Sequence, residues 1–219
     1  MQLCIAEISC RVAALYVQSD GIYSAMPDVD AWPEERDARK YLGNVPVVAH
    51  PPCASWGRYA KPTPSSTAKG PLRGDDAGCF AAALAAVRRC GGVIEHPAGS
   101  EAWSAHGMPG PMELPDAFGG WTLPVFQSWW GHVAIKPTWL YIVGNDRACI
   151  YPGPLNKGTR PLEHLSKKQR AATPLPFARF LVEIAANCSP PNPAITAPPS
   201  GWQVNPVVGQ STRKERSIT

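Results

Sequence analysis

The sequence lacks the features of a membrane-bound or disulfide-stabilised protein. None of its apolar runs approaches the roughly 18 residues that a membrane-spanning helix needs. Its start, MQLCIAEISC, has neither the basic residues nor the long apolar core of a signal peptide. The seven cysteines are odd in number and include no Cys-x-x-Cys pair, so neither a disulfide framework nor a cysteine-rich zinc site is predicted. These absences favour a cytoplasmic protein with no membrane partner and no metal.

Charged residues are also few, whereas proline is abundant. Charged residues make up 17% and hydrophobic ones 44% of the 219 positions, which predicts a buried core and excludes disorder of the whole chain. The 25 prolines exclude coiled coils and long helical bundles, because proline breaks helix interiors. The net charge of +4 is unevenly placed, with a basic stretch at 157–170 and an acidic one at 28–37. This distribution permits contact with nucleic acid, and two solvated faces are the alternative.

Short strands alternate with helices along the first 188 residues. Apolar and β-branched runs predict strands at 11–17, 45–50, 93–95, 122–127 and 138–143. Helices are predicted at 33–41, 75–90 and 173–186, with loops at 60–74 and 98–120. This alternation predicts an α/β fold, here a single Rossmann-like domain over 1–188 with helices flanking the sheet. The proline-rich residues 189–219 are predicted to be a disordered tail.

Reactive side chains follow the predicted strands. His-Pro-Pro-Cys stands at 50–53, Glu-His-Pro at 95–97, and a third polar segment spans 131–138. Ligands of open α/β sheets bind beyond the carboxyl ends of the strands, so we expect all three segments at one edge. A cysteine and a glutamate side by side suit base modification, in which a thiolate adds to C6 of a pyrimidine and an acid protonates the ring. The carboxyl group must then be at least partly protonated.

Five pieces of the sequence follow one another in an informative order. A strand ends in Pro51-Pro52-Cys53, the segment Leu-Arg-Gly-Asp-Asp-Ala-Gly-Cys-Phe opens a helix at 72–80, and a second strand ends at Glu95. A segment containing Trp-Gly-His then leads into the strand at 138–143, and a proline-bearing helix follows at 173–186. In this order the chain resembles a reduced, divergent member of the cytosine-5 DNA methyltransferase superfamily, in which Pro-Pro-Cys carries the nucleophile.

The resemblance implies a function. Cys53 is then the nucleophile that adds to C6 of a flipped base, and Glu95 holds or protonates the ring. It also implies a methyltransferase-type sheet, DNA as the partner and S-adenosylmethionine as the donor, with another C5 substituent as an open option. The small size fits a non-specific modifier of the kind that phages or mobile elements encode.

The chain departs from the family at four places. The glycine-rich cofactor loop is replaced by Gln-Ser-Asp-Gly-Ile-Tyr at 18–23, and the asparagine after the glutamate is His96. Lys136 and Thr138 stand where the family has two arginines, and the recognition domain that would precede the helix at 173–186 is missing. These departures put cofactor binding in question and argue against sequence-specific reading of DNA by this chain alone.

Further side chains are candidates for binding. Tryptophan offers a stacking surface, arginine and lysine offer phosphate contacts, and the histidines line the pocket, tune the thiolate or merely fill space. The candidates for base or DNA contact are His50, Trp56, Arg58, Arg73, His96, His132 and Lys136. The candidates for cofactor contact are Asp20, Tyr23 and Asp30.

Other readings of the sequence remain open. A catalytically inactive nucleic-acid-binding domain would keep the fold without the cofactor, and an RNA- or nucleotide-modifying enzyme would use the same scaffold on another substrate. A zinc deaminase is disfavoured, because Trp56 stands where its second cysteine should be and no His-x-Glu precedes Cys53. A metal site at His50 and Cys53 would have two ligands without clear partners.

Overall fold

A mostly parallel β-sheet organises the described part of the chain. The computed structural model describes residues 11–67, 69–150, 160, 164–166, 169–170 and 172–191. Its strands are β1 (Val12–Leu15), β2 (Val29–Trp32), β3 (Val47–Ala49), β4 (Gly92–Pro97), β5 (Trp121–Phe126) and β6 (Pro137–Val143). They lie in the order β2-β1-β3-β4-β6-β5, and β6 runs antiparallel to both of its neighbours. The other described pairs are parallel.

Helices cover both faces of this sheet. The described α-helices are α1 (Cys79–Cys90), α2 (Ala102–Ala105) and α3 (Leu175–Ala186). Helix α1 packs Phe80, Leu84 and Val87 against one face, whereas α3 packs Phe177 and Leu181 against the other. The central strands are buried on both sides, as expected for a parallel sheet between helices. The predicted α/β fold is therefore confirmed.

Local chemistry explains why α1 begins later than predicted. The chain before it turns through left-handed conformations at Ala77 and Gly78, which a helix cannot continue. The Asp76 carboxylate accepts hydrogen bonds from the backbone N–H groups of Gly78 and Phe80, so the helix starts at Cys79. The helix ends where Gly91 adopts a positive φ, in agreement with the predicted stop.

The predicted helix over 33–41 is wrong. The structure instead has β2, which the sequence analysis missed, and two short 3-10 turns at Glu34–Arg36 and Ala38–Lys40. Between these turns Asp37 adopts a left-handed backbone, with φ near 49°, and its carboxylate accepts from the Arg39 N–H. This turn prevents a continuous helix. A further departure is α2, which lies within the predicted loop at 98–120.

The end of the chain was expected to be a disordered tail. Residues 189–191 are described, and Ser189 donates its backbone N–H to the carbonyl of Gly144. The rest of the predicted tail, 192–219, lies outside the described residues. Among the described helices, none has the length and apolar character needed to cross a membrane.

The strand register brings three predicted segments to one edge of the sheet. The pairs Leu15–Ala49 and Pro97–Thr138 place the ends of β1, β3 and β4 beside the start of β6. The pair Phe126–Pro137 adds the end of β5 to the same edge. The segments 50–53, 95–97 and 131–138 therefore share the edge at which ligands of open α/β sheets bind.

Candidate active site

Cys53 lies immediately beyond β3, in a position that the preceding prolines restrict. Pro51 is buried, whereas Pro52 and Cys53 are exposed, and the Cys53 carbonyl accepts from the backbone N–H of Trp56. Although part of Cys53 is exposed, the surrounding protein shields its thiol from water. This burial raises the pKa of the Cys53 thiol above its ordinary value. The charge of Glu95 raises the pKa further, and the charge of Lys136 lowers it. Cys53 is therefore a thiol at neutral pH that an added positive charge would activate.

Glu95 occupies β4, the strand next to β3, and its carboxylate is held from two sides. Its Oε2 lies 2.9 Å from Nδ1 of His50, and its Oε1 accepts from Nε2 of Gln127 over 2.9 Å. Burial raises the pKa of Glu95, but the His50 hydrogen bond and the charges of His50 and Lys136 outweigh it and lower the pKa to about 2. The resting side chain is therefore ionised, in contrast to the partly protonated state that ring protonation requires.

His50 connects Glu95 to a buried tyrosine. The Nε2 atom of His50 lies 2.7 Å from the hydroxyl of Tyr23, which belongs to the turns after β1. Burial and then the charge of Glu95 raise the pKa of Tyr23 well above its ordinary value, so the hydroxyl keeps its proton. The sequence analysis expected His50 to act on Cys53 or the substrate, but both of its ring nitrogens are engaged by Glu95 and Tyr23.

Gln127 is a site residue that the sequence analysis missed. It is fully buried in the 3-10 turn after β5, and its Nε2 also donates to the Thr138 hydroxyl over 3.1 Å. Its backbone N–H donates to the carbonyl of Lys136, which ties the turn to the start of β6. A glutamine as the last residue of a predicted strand, at the edge expected to carry the site, was the signal available for finding it.

Lys136 lies in the turn that leads into β6. Its backbone has a positive φ of 44°, a conformation that is uncommon for a lysine and that sets the direction of the side chain. Its Nζ donates to the carbonyl of Ala172 over 3.4 Å, and its charge acts on both Cys53 and Glu95. Burial lowers the pKa of Lys136, whereas Glu95 and Cys53 raise it. Cys53, Glu95 and Lys136 thus form one electrostatically coupled group.

The side chain of His96 lies on the other face of the sheet from that of Glu95, although the two residues are adjacent in sequence. Successive side chains of a strand point to opposite faces, so His96 faces α1. It is buried between Phe80 and Trp103, with ring centroids 5.1 and 6.1 Å away. Burial lowers the pKa of His96 to about 4, which leaves the ring neutral. The structure thus gives His96 aromatic neighbours in the core, and contact between His96 and a base stays a prediction.

Trp56 and His132 also have structural contacts where substrate contacts were expected. Trp56 is buried, donates its Nε1–H to Asp76 over 2.9 Å and packs edge-on against Phe80, so its faces are not free for a base. His132 is buried, and its Nδ1 and Nε2 lie 2.9 and 3.3 Å from the carbonyls of Ala134 and Gln169. His132 therefore shapes the loop before Lys136.

The two arginine candidates lie on the surface. Arg58 is exposed, and its guanidinium lies 4.9 Å from the ring centroid of Tyr59, which is itself 72% exposed. Arg73 forms an ion pair with Glu101, with a nitrogen–oxygen distance of 2.9 Å. Arg58 and Tyr59 thus lie exposed on the surface, and Arg73 is paired with Glu101.

The residues proposed for S-adenosylmethionine do not form a site that fits it. Residues 16–28 contain only turns, so no helix follows β1 to offer its N-terminus to a cofactor. Asp20 is exposed in one of these turns, and Tyr23 is buried and bonded to His50. Asp30 does lie on β2, but its carboxylate is held by Trp32 and Arg36. Within the described residues, no group of three or more metal-ligating side chains is arranged around a common point.

Two cavities are lined by other parts of the described chain. One of about 400 Å³ is lined by residues at the start of β2 and on α3, among them Met26 and Arg179. The other, of about 300 Å³, lies near Asn145, beyond the end of β6. Neither cavity is lined by Cys53 or Glu95.

No family model, curated protein or solved structure matches this chain. The chemical reading of the site therefore depends on the geometry of Cys53, Glu95 and their neighbours.

Proposed function

We propose that this chain modifies a pyrimidine base of DNA at C5, through transient addition of Cys53 to C6 of a flipped base. The observation that carries the proposal is the convergence of a nucleophile, a carboxylate and a cation at the ligand-binding edge of the sheet. Cys53 follows β3, Glu95 lies on the adjacent β4, and Lys136 precedes β6. These three residues act on one another electrostatically in the free protein.

Lys136, Cys53 and Glu95 have different roles in the proposed reaction. The positive charge of Lys136 favours the thiolate of Cys53, whose proton leaves to solvent because the residue is exposed. The thiolate forms a bond to C6, and the π-electron pair of the C5–C6 double bond moves through the ring to N3, which makes C5 nucleophilic. Glu95 holds the Watson–Crick edge of the base, and N3 is protonated as the charge develops. After C5 has formed a bond to the new substituent, the C5 proton and the proton on N3 are lost and the thiolate departs, which restores the aromatic ring.

The architecture supports this proposal. Strand β1 is flanked by β2 on one side and β3 on the other, so the strand order reverses direction at the point where ligands bind in open α/β sheets. A parallel sheet with one reversed strand next to its edge also fits the methyltransferase-type sheet that the resemblance implies. The proposal includes this finer assignment of the fold.

Contact with DNA is assigned to exposed side chains near the edge. Arg58 and Tyr59 lie on the loop after Cys53 and offer a phosphate contact and a stacking face. They take the place of Trp56, which is buried. The donor of the C5 substituent is outside the proposal, because the residues at the end of β1 do not form a fitting site for S-adenosylmethionine.

The absence of a fitting site for S-adenosylmethionine among the described residues at the end of β1 favours a second candidate function. A domain that has kept the fold and lost the donor site would bind nucleic acid without modifying it. Its binding would weaken steeply with salt, would not depend on the sulfur of Cys53, and would leave the nucleosides of the bound DNA unchanged.

Covalent trapping tests the proposal without knowledge of the donor. Oligonucleotides that contain pyrimidin-2-one are suitable, because this base accepts a thiolate at C6 and needs no transfer at C5 to hold it. We expect the full-length chain to form an adduct that survives denaturing electrophoresis and that peptide mass spectrometry places on Cys53. Cys53→Ser should abolish the adduct, whereas Cys79→Ser, a matched change at a half-exposed thiol elsewhere, should leave it unchanged.

The outcomes separate the candidates. Binding without an adduct would favour the non-catalytic domain, and an equal adduct from Cys53→Ser would remove Cys53 from the reaction. RNA and free nucleotides carrying the same base distinguish a DNA enzyme from the alternatives on the same scaffold. Parallel reactions on 5-fluorocytosine DNA with and without S-adenosylmethionine test the donor, because a stable adduct there requires transfer to C5.

A further inference from the structure

A hydrogen-bonded chain of three side chains leads from the interior of the protein to Glu95. The hydroxyl of Tyr23 lies 2.7 Å from Nε2 of His50, and Nδ1 of the same ring lies 2.9 Å from Oε2 of Glu95. Tyr23 is buried, and the side chains of His50 and Glu95 are only 14% and 12% exposed. Tyr23 comes from the turns after β1, His50 from the end of β3 and Glu95 from β4. The tertiary structure thus brings these three hydrogen-bonded side chains together from three separate segments of the sequence.

The proposed reaction requires a proton that the resting carboxylate does not carry. When the thiolate adds to C6, negative charge moves to N3 and must be neutralised there. Glu95 is the group placed to protonate the ring, yet its pKa of about 2 means that it is ionised at neutral pH. A second group must therefore supply the proton, and His50 is the titratable side chain bonded directly to the carboxylate.

We propose that His50 stores the proton that Glu95 delivers to N3 of the base, and that Tyr23 holds the imidazole in the orientation this transfer requires. The inference rests on the proposed function. The scheme requires an imidazole that carries both ring protons before the reaction and donates one to Glu95 and the other to the Tyr23 oxygen. As the sulfur–C6 bond forms, the Nδ1 proton of His50 moves to the Glu95 carboxylate, and the carboxyl group so formed passes a proton to N3, which leaves His50 neutral and Glu95 ionised. The steps reverse when the thiolate leaves, so the proton is returned.

Tyr23 is a positioning residue in this scheme. Burial and the charge of Glu95 keep its hydroxyl protonated, so it does not exchange a proton during the cycle. Its oxygen accepts the Nε2–H of His50 and directs Nδ1 toward Glu95. The ring of Tyr23 lies 5.3 Å from the imidazole, centroid to centroid, and restricts its rotation further.

Other charged groups near Tyr23, His50 and Glu95 influence how the proposed proton transfer depends on pH. Besides His50, the charges of Lys136 in the turn before β6 and of His96 on β4 act on Glu95. The charge of Glu95 in turn acts on Cys53 and Tyr23. Lys136 and His96 act on Glu95 through their charges, whereas His50 is hydrogen-bonded directly to the carboxylate, so His50 is the proton source in this scheme. The proposed reaction needs both the thiolate of Cys53 and a proton on His50, so its rate should rise and then fall with increasing pH.

The pH profile of adduct formation tests the proposal. We expect the full-length chain to give a bell-shaped profile on pyrimidin-2-one DNA. His50→Gln keeps hydrogen-bonding groups without a titratable ring, and it should lower the maximal rate roughly 10- to 100-fold and remove the falling limb. Tyr23→Phe should lower the rate by a smaller factor and keep both limbs. His164→Gln, at an exposed histidine elsewhere, is the matched control and should match the wild type.

A measurement without DNA keeps the inference separable from the proposed function. The ¹⁵N chemical shifts of the imidazole report whether His50 carries both ring protons at pH 7, and His50→Gln identifies its signals among the five histidines. A neutral His50, or an unchanged rate and profile in a folded His50→Gln protein, would overturn the relay and leave the role of Cys53 intact. Absence of any wild-type adduct would overturn the proposed function and the relay together.

Discussion

Gln127 donates its side-chain amide to Oε1 of Glu95 over 2.9 Å, although 32 positions separate the two residues in sequence. The bond crosses from the turn after β5 to β4, and β6 lies between those two strands. Together with His50 on the other oxygen, it fixes the plane of the carboxylate. Each oxygen of a carboxylate accepts more than one hydrogen bond, so the group remains able to bind a base.

This contact gives the first prediction. Gln127→Met keeps a similar volume and removes the amide, which leaves Oε1 of Glu95 without its partner. We expect the variant to lose about 1–3 kcal/mol of unfolding free energy, because a buried charged acceptor loses its donor. Adduct formation should slow about tenfold as the carboxylate loses its orientation. Urea unfolding and the trapping rate measure the two effects, and wild-type values for both would show that Gln127 does not hold Glu95.

The second prediction concerns activation of the thiol. Lys136 lowers the pKa of Cys53, so Lys136→Gln should raise that pKa and reduce the thiolate fraction at a given pH. Alkylation of Cys53 by iodoacetamide at pH 7.5 should slow several-fold, with its rising limb displaced to higher pH. Cys79 is the internal control, because its surrounding charges are those of Asp76, Arg39 and Asp37. Peptide mass spectrometry follows both thiols, and equal slowing at both would indicate a general structural effect.

The third prediction follows from the ionised state of Glu95. Its pKa is about 2 in the folded protein against an ordinary value of 4.5, so the folded state favours the carboxylate. The resulting stability is fully present above about pH 4.5 and is lost as the pH falls toward 2. Over that window the loss is on the order of 3 kcal/mol. Unfolding free energies measured at several acidic pH values should show a weaker dependence in Glu95→Gln, and an unchanged slope would contradict the prediction.

His96 gives a fourth prediction in a different pH window. Burial lowers its pKa from 6.5 to about 4, so the unfolded chain takes up a proton more readily than the folded one. Stability should therefore fall as the pH drops from about 6.5 to 4, and it should be unaffected by this group above 6.5. His96→Leu should flatten the curve in that range and leave the acidic window of Glu95 in place. The slope is the readout, because the substitution also changes packing against Phe80.

The fifth prediction separates a core tryptophan from an exposed tyrosine. Trp56→Phe removes the bond to Asp76 and should lower the unfolding free energy by about 1–2 kcal/mol while DNA affinity stays within twofold. Tyr59→Ala should instead weaken DNA binding and leave the unfolding free energy nearly unchanged. The ring of Tyr59 is exposed and offers a stacking face worth about 1–3 kcal/mol per base. Fluorescence-anisotropy titrations with single-stranded oligonucleotides measure the affinities. A large loss of affinity in Trp56→Phe alone would restore Trp56 as the stacking surface.

Local sequence patterns predicted most of the sheet and two helices. The β-branched run before Pro51 became β3, and the alanine-rich segment that ends at Gly91 became α1, since both patterns reflect short-range preferences. Strand β2 was missed because Asp28, Asp30 and Pro33 resemble the start of a helix. The pairing of β2 with β1, which makes it a strand, is a long-range contact. Gln127 was missed for a related reason, because its role depends on the hydrogen bond that its amide donates to Glu95, which is also a long-range contact.

The amino-acid order alone determined which reactive groups follow which strands, including the prolines that restrict Cys53. Only the tertiary structure decided which of those groups meet. Pairing of β4 with β3 placed Glu95 near Cys53, and the alternation of side chains along β4 turned His96 toward α1. The same folding connected Tyr23, His50 and Glu95 through two hydrogen bonds. Hydrogen bonds act over about 3 Å, and residues distant in sequence come within that range only when the sheet has formed.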